Sequence, residues 1–114
     1  MKDDRVYLHH ILDAIRRILE YTAEGQAAFF SRPMIQDAVV RNLEIIGEAV
    51  KNLTEPLKAN RADIAWKRIA GMRDKMIHEY FGVNLQLVWE VVERDLPQLR
   101  VALESVLRQL PGSD

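Results

Sequence analysis

Cysteine is absent from the 114 residues, which excludes disulfides, thiolate metal sites and a cysteine nucleophile together. Glycine and proline number only five and four, so the chain has few places to break, and these fall between periodic segments. No apolar run is long enough to cross a bilayer. The opening Met1-Lys2-Asp3-Asp4 lacks the apolar stretch of a signal peptide, so a cytoplasmic location without membrane attachment is expected. Internal repeats, low-complexity tracts and strand-like alternation are also missing. The chain carries no large excess of either charge: the formal net charge is −1 and the pI is near 6.3. That balance argues against a generic, uniformly basic nucleic-acid binder.

What is present suits a globular protein, with 48% hydrophobic and 29% charged residues. The length fits one domain over residues 1–114. A core of that size is small, and pairing with a second copy would add to its stability.

Leu8, Ile11, Leu12, Ile15, Ile18, Leu19 and Thr22 recur at steps of three and four, the stripe of an amphipathic helix. Asp3 or Asp4 can cap its start, and Gly25 lies near its end. A loop is expected through Phe29-Phe30. Ser31-Arg32-Pro33 reads as a cap followed by proline in a first helical turn. Ile35, Val39, Leu43, Ile46, Ala49, Val50 and Leu53 then share a stripe with Asn42 inside it. Gly47 sits mid-helix at a cost of roughly 1 kcal/mol relative to alanine, which predicts a close backbone approach. Thr54-Glu55-Pro56 ends this helix, and residues 56–63 read as irregular. A third helix is expected from about Ile64 to Glu79, with a turn at Phe81-Gly82-Val83 and Asn84 as the next cap. Leu87, Val88, Val91 and Val92 continue the pattern. Asp95 with Gln98 reads as a fresh capping box, so the last helix is expected to break or kink near Pro97. The sum is an all-α, up-and-down bundle of four to five helices.

The charge is unevenly placed. Residues 58–75 hold Lys58, Arg61, Lys67, Arg68, Arg73 and Lys75 against Asp63 and Asp74, a positive segment on a negative body. Such a segment can receive a phosphate backbone, although a solvated helix face accounts for the same residues.

His9 and His10 are adjacent on the first helix. Their side chains diverge by about 100°, so they make a poor metal chelate and read as surface histidines. His78 lies within Arg73-Asp74-Lys75-Met76-Ile77-His78-Glu79-Tyr80-Phe81, where a guanidinium, an imidazole and a phenol fall within eight residues beside a turn. A histidine at a helix C-terminus also suits the dipole there. Arg73 and Tyr80 share a face if the helix continues, as do Asp74 and His78. Arg73 and His78 are about 140° apart on one helix, a gap that arginine's length partly closes and that a second copy across a two-fold axis would close better. Glu44 and Glu48, one turn apart on the second long helix, can hold Mg²⁺, move protons, pair with the Arg73 region or simply face water.

The run Arg73-x4-His78-x-Tyr80 resembles the signature of HEPN domains in their HepT-like form. Ile69-Ala70-Gly71-Met72-Arg73-Asp74 leading to His78-Glu79-Tyr80-Phe81-Gly82-Val83 is similar to that family's central block. Arg41-Asn42-Leu43-Glu44-Ile45-Ile46-Gly47-Glu48-Ala49 is similar to its second-helix block. Trp66, Leu87-Val88-Trp89 and Asp95-Leu96-Pro97 fit as well, so the likeness spans nearly the whole chain.

That resemblance implies a helical homodimer with paired motifs facing each other, cleaving RNA as an endoribonuclease without metal or cofactor. Arg73 and His78 would be catalytic, with Asp74 and Tyr80 in support. It further implies a toxin–antitoxin pair whose other half is an MntA-like nucleotidyltransferase that places AMP on Tyr80. Two other readings use the same residues: a non-catalytic HEPN module that binds nucleotide or RNA or scaffolds the nucleotidyltransferase, and a plain helical dimerisation protein.

Overall fold

The structure, a computed structural model, describes residues 3–72, 74 and 84–110. Helix α1, Asp4–Tyr21, forms where its stripe predicts. Leu8, Ile11, Ile15 and Ile18 are fully buried, and Leu12 and Leu19 pack beside them. Asp3 is the cap: its carboxylate accepts from the Arg5 backbone N–H at 3.0 Å, satisfying a donor that the first turn leaves over. Thr22 closes the helix by donating its hydroxyl to the Ile18 carbonyl at 2.8 Å. Gly25 then adopts φ +99°, a conformation a side chain would oppose, and reverses the chain.

The loop expected at Phe29-Phe30 is instead a short helix, α2, Gln26–Ser31. Its cause lies in packing. Phe29 is fully buried, edge-on to Phe30 at 5.3 Å and against Trp89 at 5.4 Å. Ser31 is the last residue of α2 and does not cap the next helix; its hydroxyl donates to the Ala28 carbonyl. Arg32 stands at the cap position of α3, Pro33–Asn52, with Pro33 at the helix start as expected.

The α3 stripe is confirmed, with Val39, Leu43, Ile46, Ala49, Val50 and Leu53 all buried. Asn42, inside the stripe, is buried too and donates its amide to the Ala38 carbonyl at 2.9 Å. Past Thr54 the chain does not become irregular. It forms α4, Glu55–Asn60, with Pro56 in the first turn, where the missing N–H costs nothing, and Leu57 turned inward. Asp4 explains the geometry of this corner. Its carboxylate takes both the Thr54 backbone N–H at 2.9 Å and the Thr54 hydroxyl at 2.6 Å, tying the start of α1 to the α3–α4 junction.

Helix α5 is described over Trp66–Ala70, two residues later than its expected start at Ile64. Trp66 is buried, and its indole N–H is shared between the Lys58 and Arg61 carbonyls at 3.1 and 3.0 Å. The expected end of this helix at Glu79 and the turn at Phe81-Gly82-Val83 lie outside the described residues. Asn84 caps α6, Leu85–Glu90, as predicted, by accepting from the Leu87 N–H at 3.1 Å.

The rod continues through a π-helical turn, Val91–Asp95, into α7, Leu96–Gln109. The fresh cap expected at Asp95 is not there. Asp95 has helical backbone angles and makes no capping bond. Its carboxylate pairs with Arg68 at 2.7 Å. Pro97 cannot supply the N–H of a regular turn and its ring crowds the preceding one, so the helix widens just before it instead of stopping.

In the assembled molecule α1 lies along α3, α7 covers α1, α5 sits on α3, and α2 bridges α3 and α6. The fold is all-α, and among the described residues there is no strand. No helix among them is long and apolar enough to cross a membrane.

Candidate functional site

The mid-helix glycine of α3 is where the site begins. A Cβ on Gly47 would stand 3.1 Å from the Ala70 carbonyl oxygen and 3.7 Å from that of Ile69. With hydrogen in that place, the C-terminal end of α5 rests directly on α3. The predicted close approach is therefore real, and Asp74, just beyond it, lies beside the polar face of α3.

Asp74 is exposed there, its backbone N–H bonded to the Gly71 carbonyl at 3.1 Å. It lines a groove of about 430 Å³ together with His10 from α1 and Arg41, Glu44, Glu48 and Lys51 from α3. Glu44 is half-buried and Glu48 is exposed. Of the residues singled out by sequence, Asp74, Glu44 and Glu48 are thus brought together. Arg73, His78 and Tyr80 lie outside the described residues. His10, read from sequence as an ordinary surface histidine, shares the groove and meets Tyr7 edge-on at 6.1 Å. Helical periodicity alone places His10 off the apolar stripe of α1, but which neighbour that face meets depends on how α1 lies against α3 and α5. His9 is exposed and is not among the groove's lining.

The groove holds carboxylates, a guanidinium, an ammonium and an imidazole. Such a set can orient charged side chains and hold phosphate oxygens. Among the described residues, no three histidine, aspartate or glutamate side chains converge as a metal ion would require.

The basic segment 58–75 is partly neutralised. Lys58 approaches Glu55 at 3.6 Å, Arg61 forks onto Asp63 at 3.0 and 3.1 Å, and Arg68 meets Asp95. Hydrogen bonding from Arg61 holds the Asp63 carboxyl below its ordinary range, and Asp63 in turn raises Arg61. The Lys67 side chain makes no hydrogen bond or ion pair with any described residue. On the far side of α5, an apolar groove of about 460 Å³ runs between Ile69, Met72, Leu87 and Leu99, with the Arg68–Asp95 pair at its rim.

Comparison with known proteins gives these features a setting. Residues 11–106 match the HepT-like family, described as Ribonuclease HepT-like. A Methanocaldococcus jannaschii protein named "Gamma-glutamylcyclotransferase and putative RNase" is 46% identical over 110 residues, 96% of this chain and 50% of the relative. The chain therefore spans half the length of that relative. A "Putative RNase" from Caldanaerobacter subterraneus subsp. tengcongensis is 43% identical over 111 residues, 96% of this chain and 98% of its own. The "Probable ribonuclease HepT" of Thermococcus cleftensis is 43% identical over 101 residues, covering 88% of this chain and 92% of its own. No solved structure gives a significant match. With the family profile and the relatives both covering most of its length, the chain belongs to the HepT-like ribonuclease family.

Proposed function

We propose that this protein is an endoribonuclease that cuts RNA without a metal, acting as the toxin of a HepT/MntA-like (type VII) toxin–antitoxin pair. The observation that carries the reading is the family match over residues 11–106, which encloses an intact Arg73-x4-His78-x-Tyr80. The groove at Asp74 supports it by gathering polar groups from α1 and α3 at the start of that run.

The chemistry follows from the residue types. An imidazole with a reference pKa of about 6.5 can take the proton of the ribose 2′-hydroxyl as its oxygen attacks the adjacent phosphorus. The new 2′-O–P bond forms as the P–O5′ bond breaks, and a protonated imidazole returns a proton to the departing 5′-oxygen. The products are a 2′,3′-cyclic phosphate and a 5′-hydroxyl. His78 fills these proton roles, and a two-fold dimer supplies the second imidazole. Arg73 presents a planar, permanently charged fork to the non-bridging oxygens, where charge builds in the pentavalent transition state. Asp74 orients one of these side chains. Tyr80 is the hydroxyl to which an MntA-like nucleotidyltransferase adds AMP, and the added phosphate would put negative charge and bulk beside Arg73.

The test is cleavage of RNA by purified protein in EDTA, wild type beside Arg73→Ala and His78→Ala. Cleavage by the wild type alone, leaving cyclic-phosphate ends, is the expected result. Equal inactivity of all three, after mass spectrometry has shown an unmodified Tyr80, would favour the non-catalytic module.

A further inference from the structure

The groove at Asp74 does not end there. A second groove, of about 610 Å³, shares Lys51 and Ala70 with it and continues along α3, α4 and α5. Lys51, Lys58, Lys67 and Arg68 line this extension, against a single carboxylate, Glu55. Two of the four cations are engaged, Lys58 with Glu55 at 3.6 Å and Arg68 with Asp95 at 2.7 Å. Lys51 and Lys67 are exposed, and their side chains make no hydrogen bond or ion pair with any described residue. They come from different helices, α3 and α5, which the Gly47–Ala70 approach holds side by side.

We propose that Lys51 and Lys67 form a phosphate-binding track that receives the RNA strand next to the bond being cut. The proposal rests on the ribonuclease reading above and adds where the substrate lies. Ammonium groups without carboxylate partners keep their charge for an incoming anion, and phosphates neutralised by lysine release condensed counterions. An acidic protein could use the same charges. RNA is favoured because the extension shares Lys51 and Ala70 with the groove that Asp74 lines, and Asp74 belongs to the sequence run to which the cleavage chemistry is proposed.

The experiment measures binding of a short, uncleavable 2′-O-methyl RNA by fluorescence anisotropy across a salt series, beside cleavage kinetics on ordinary RNA. Lys51→Gln/Lys67→Gln should weaken binding roughly tenfold and make the slope of log affinity against log salt shallower by about 1.4, the loss of two single-strand phosphate contacts. In cleavage, KM should rise while kcat is kept. Lys51→Arg/Lys67→Arg should restore both. Arg100→Gln/Arg108→Gln, exposed cations of α7 outside the groove, should leave both unchanged, and an equal loss there would reduce the effect to net charge and overturn the track. Unchanged affinity and slope in the glutamine variant, with the wild type cleaving normally, would overturn the track and leave the ribonuclease intact. A wild type that neither binds nor cleaves would remove both. Retained RNA binding with lost binding of polyglutamate would assign the groove to an acidic protein and overturn the proposal.

Discussion

Gly47 and Asp4 show how much one position can decide in this fold. Replacing Gly47 with leucine would drive a side chain into the Ala70 carbonyl, a backbone atom that cannot swing aside. The expected loss is about 1–3 kcal/mol, the usual range for overpacking, and urea denaturation reads it. Because the same contact seats α5 on α3, cleavage activity measured well below the melting temperature should fall as well. The two acidic positions Asp4 and Asp95 make a second comparison. Asp4→Ala leaves the Thr54 N–H and hydroxyl without their charged acceptor at a partly buried corner, at an expected cost of about 1–3 kcal/mol. Arg68→Ala breaks the Arg68–Asp95 pair, which is short but largely solvated, and should cost less than about 1 kcal/mol. Thermal melts of the two variants side by side check the ranking. Sequence reached some of these residues and not others for a simple reason. The Asn84 cap and the need for a small residue at 47 are local, written within a few positions. Asp4 and Thr54 are 50 residues apart and Arg68 and Asp95 are 27 apart, so no local pattern pairs them.

At the scale of helices, periodicity was a sufficient guide wherever a stripe ran for several turns, as in α1 and α3. It failed for α2 and α4, six residues each, too short to show a repeat. Their helicity comes from what they are pressed against: Phe29 on Trp89, and Leu57 in the core. The last rod is the more informative case. Pro97 announced an interruption, but the interruption is a widened turn, which accommodates one extra residue while the helix axis carries on. Deleting Glu93 from within that turn should therefore be tolerated, since the rod can close into a regular α-helix with both flanks in place. Deleting the equally exposed Arg100 from α7 should not, because everything beyond it rotates by about 100° and Leu103 and Val106 leave the core. Circular dichroism melts should show a small shift for the first variant and a large one for the second. Of the run that carries Arg73, His78 and Tyr80, Asp74 is placed, and the role proposed for each of the other three stands on the resemblance and on its chemistry.

For the molecule as a whole, acid gives a clean reading of one interaction. Arg61 holds the Asp63 carboxyl below its ordinary range, first through their hydrogen bonds and then through charge. A carboxyl depressed in the folded state adds stability that is complete above its unfolded pKa, about 4, and that is lost as pH falls through the folded value. The difference in urea midpoint between wild type and Asp63→Asn should thus be constant from neutral pH down to that range and should close below it. A gap that widened in acid would contradict the assignment. The overall charge hides the more consequential arrangement, in which a slightly negative chain keeps Lys51 and Lys67 facing one groove. Lys67 was visible in sequence as part of a basic segment. Lys51, on another helix and flanked by carboxylates one and two turns earlier, was not, because only the contact of α5 with α3 brings it there.

The two tryptophans differ in a way that makes the protein its own optical reporter. Trp89 is packed on Phe29 with a buried indole N–H that has no acceptor among the described residues, so its emission should be blue-shifted. Trp66 donates to two carbonyls and forms part of the wall of the groove that holds Lys51 and Lys67, so its excited state relaxes in a more polar setting. Each Trp→Phe single variant isolates one fluorophore. A strand entering the groove should then change the colour or intensity of Trp66 while Trp89 stays dark to the event, and unfolding of the α2–α6 contact should do the reverse.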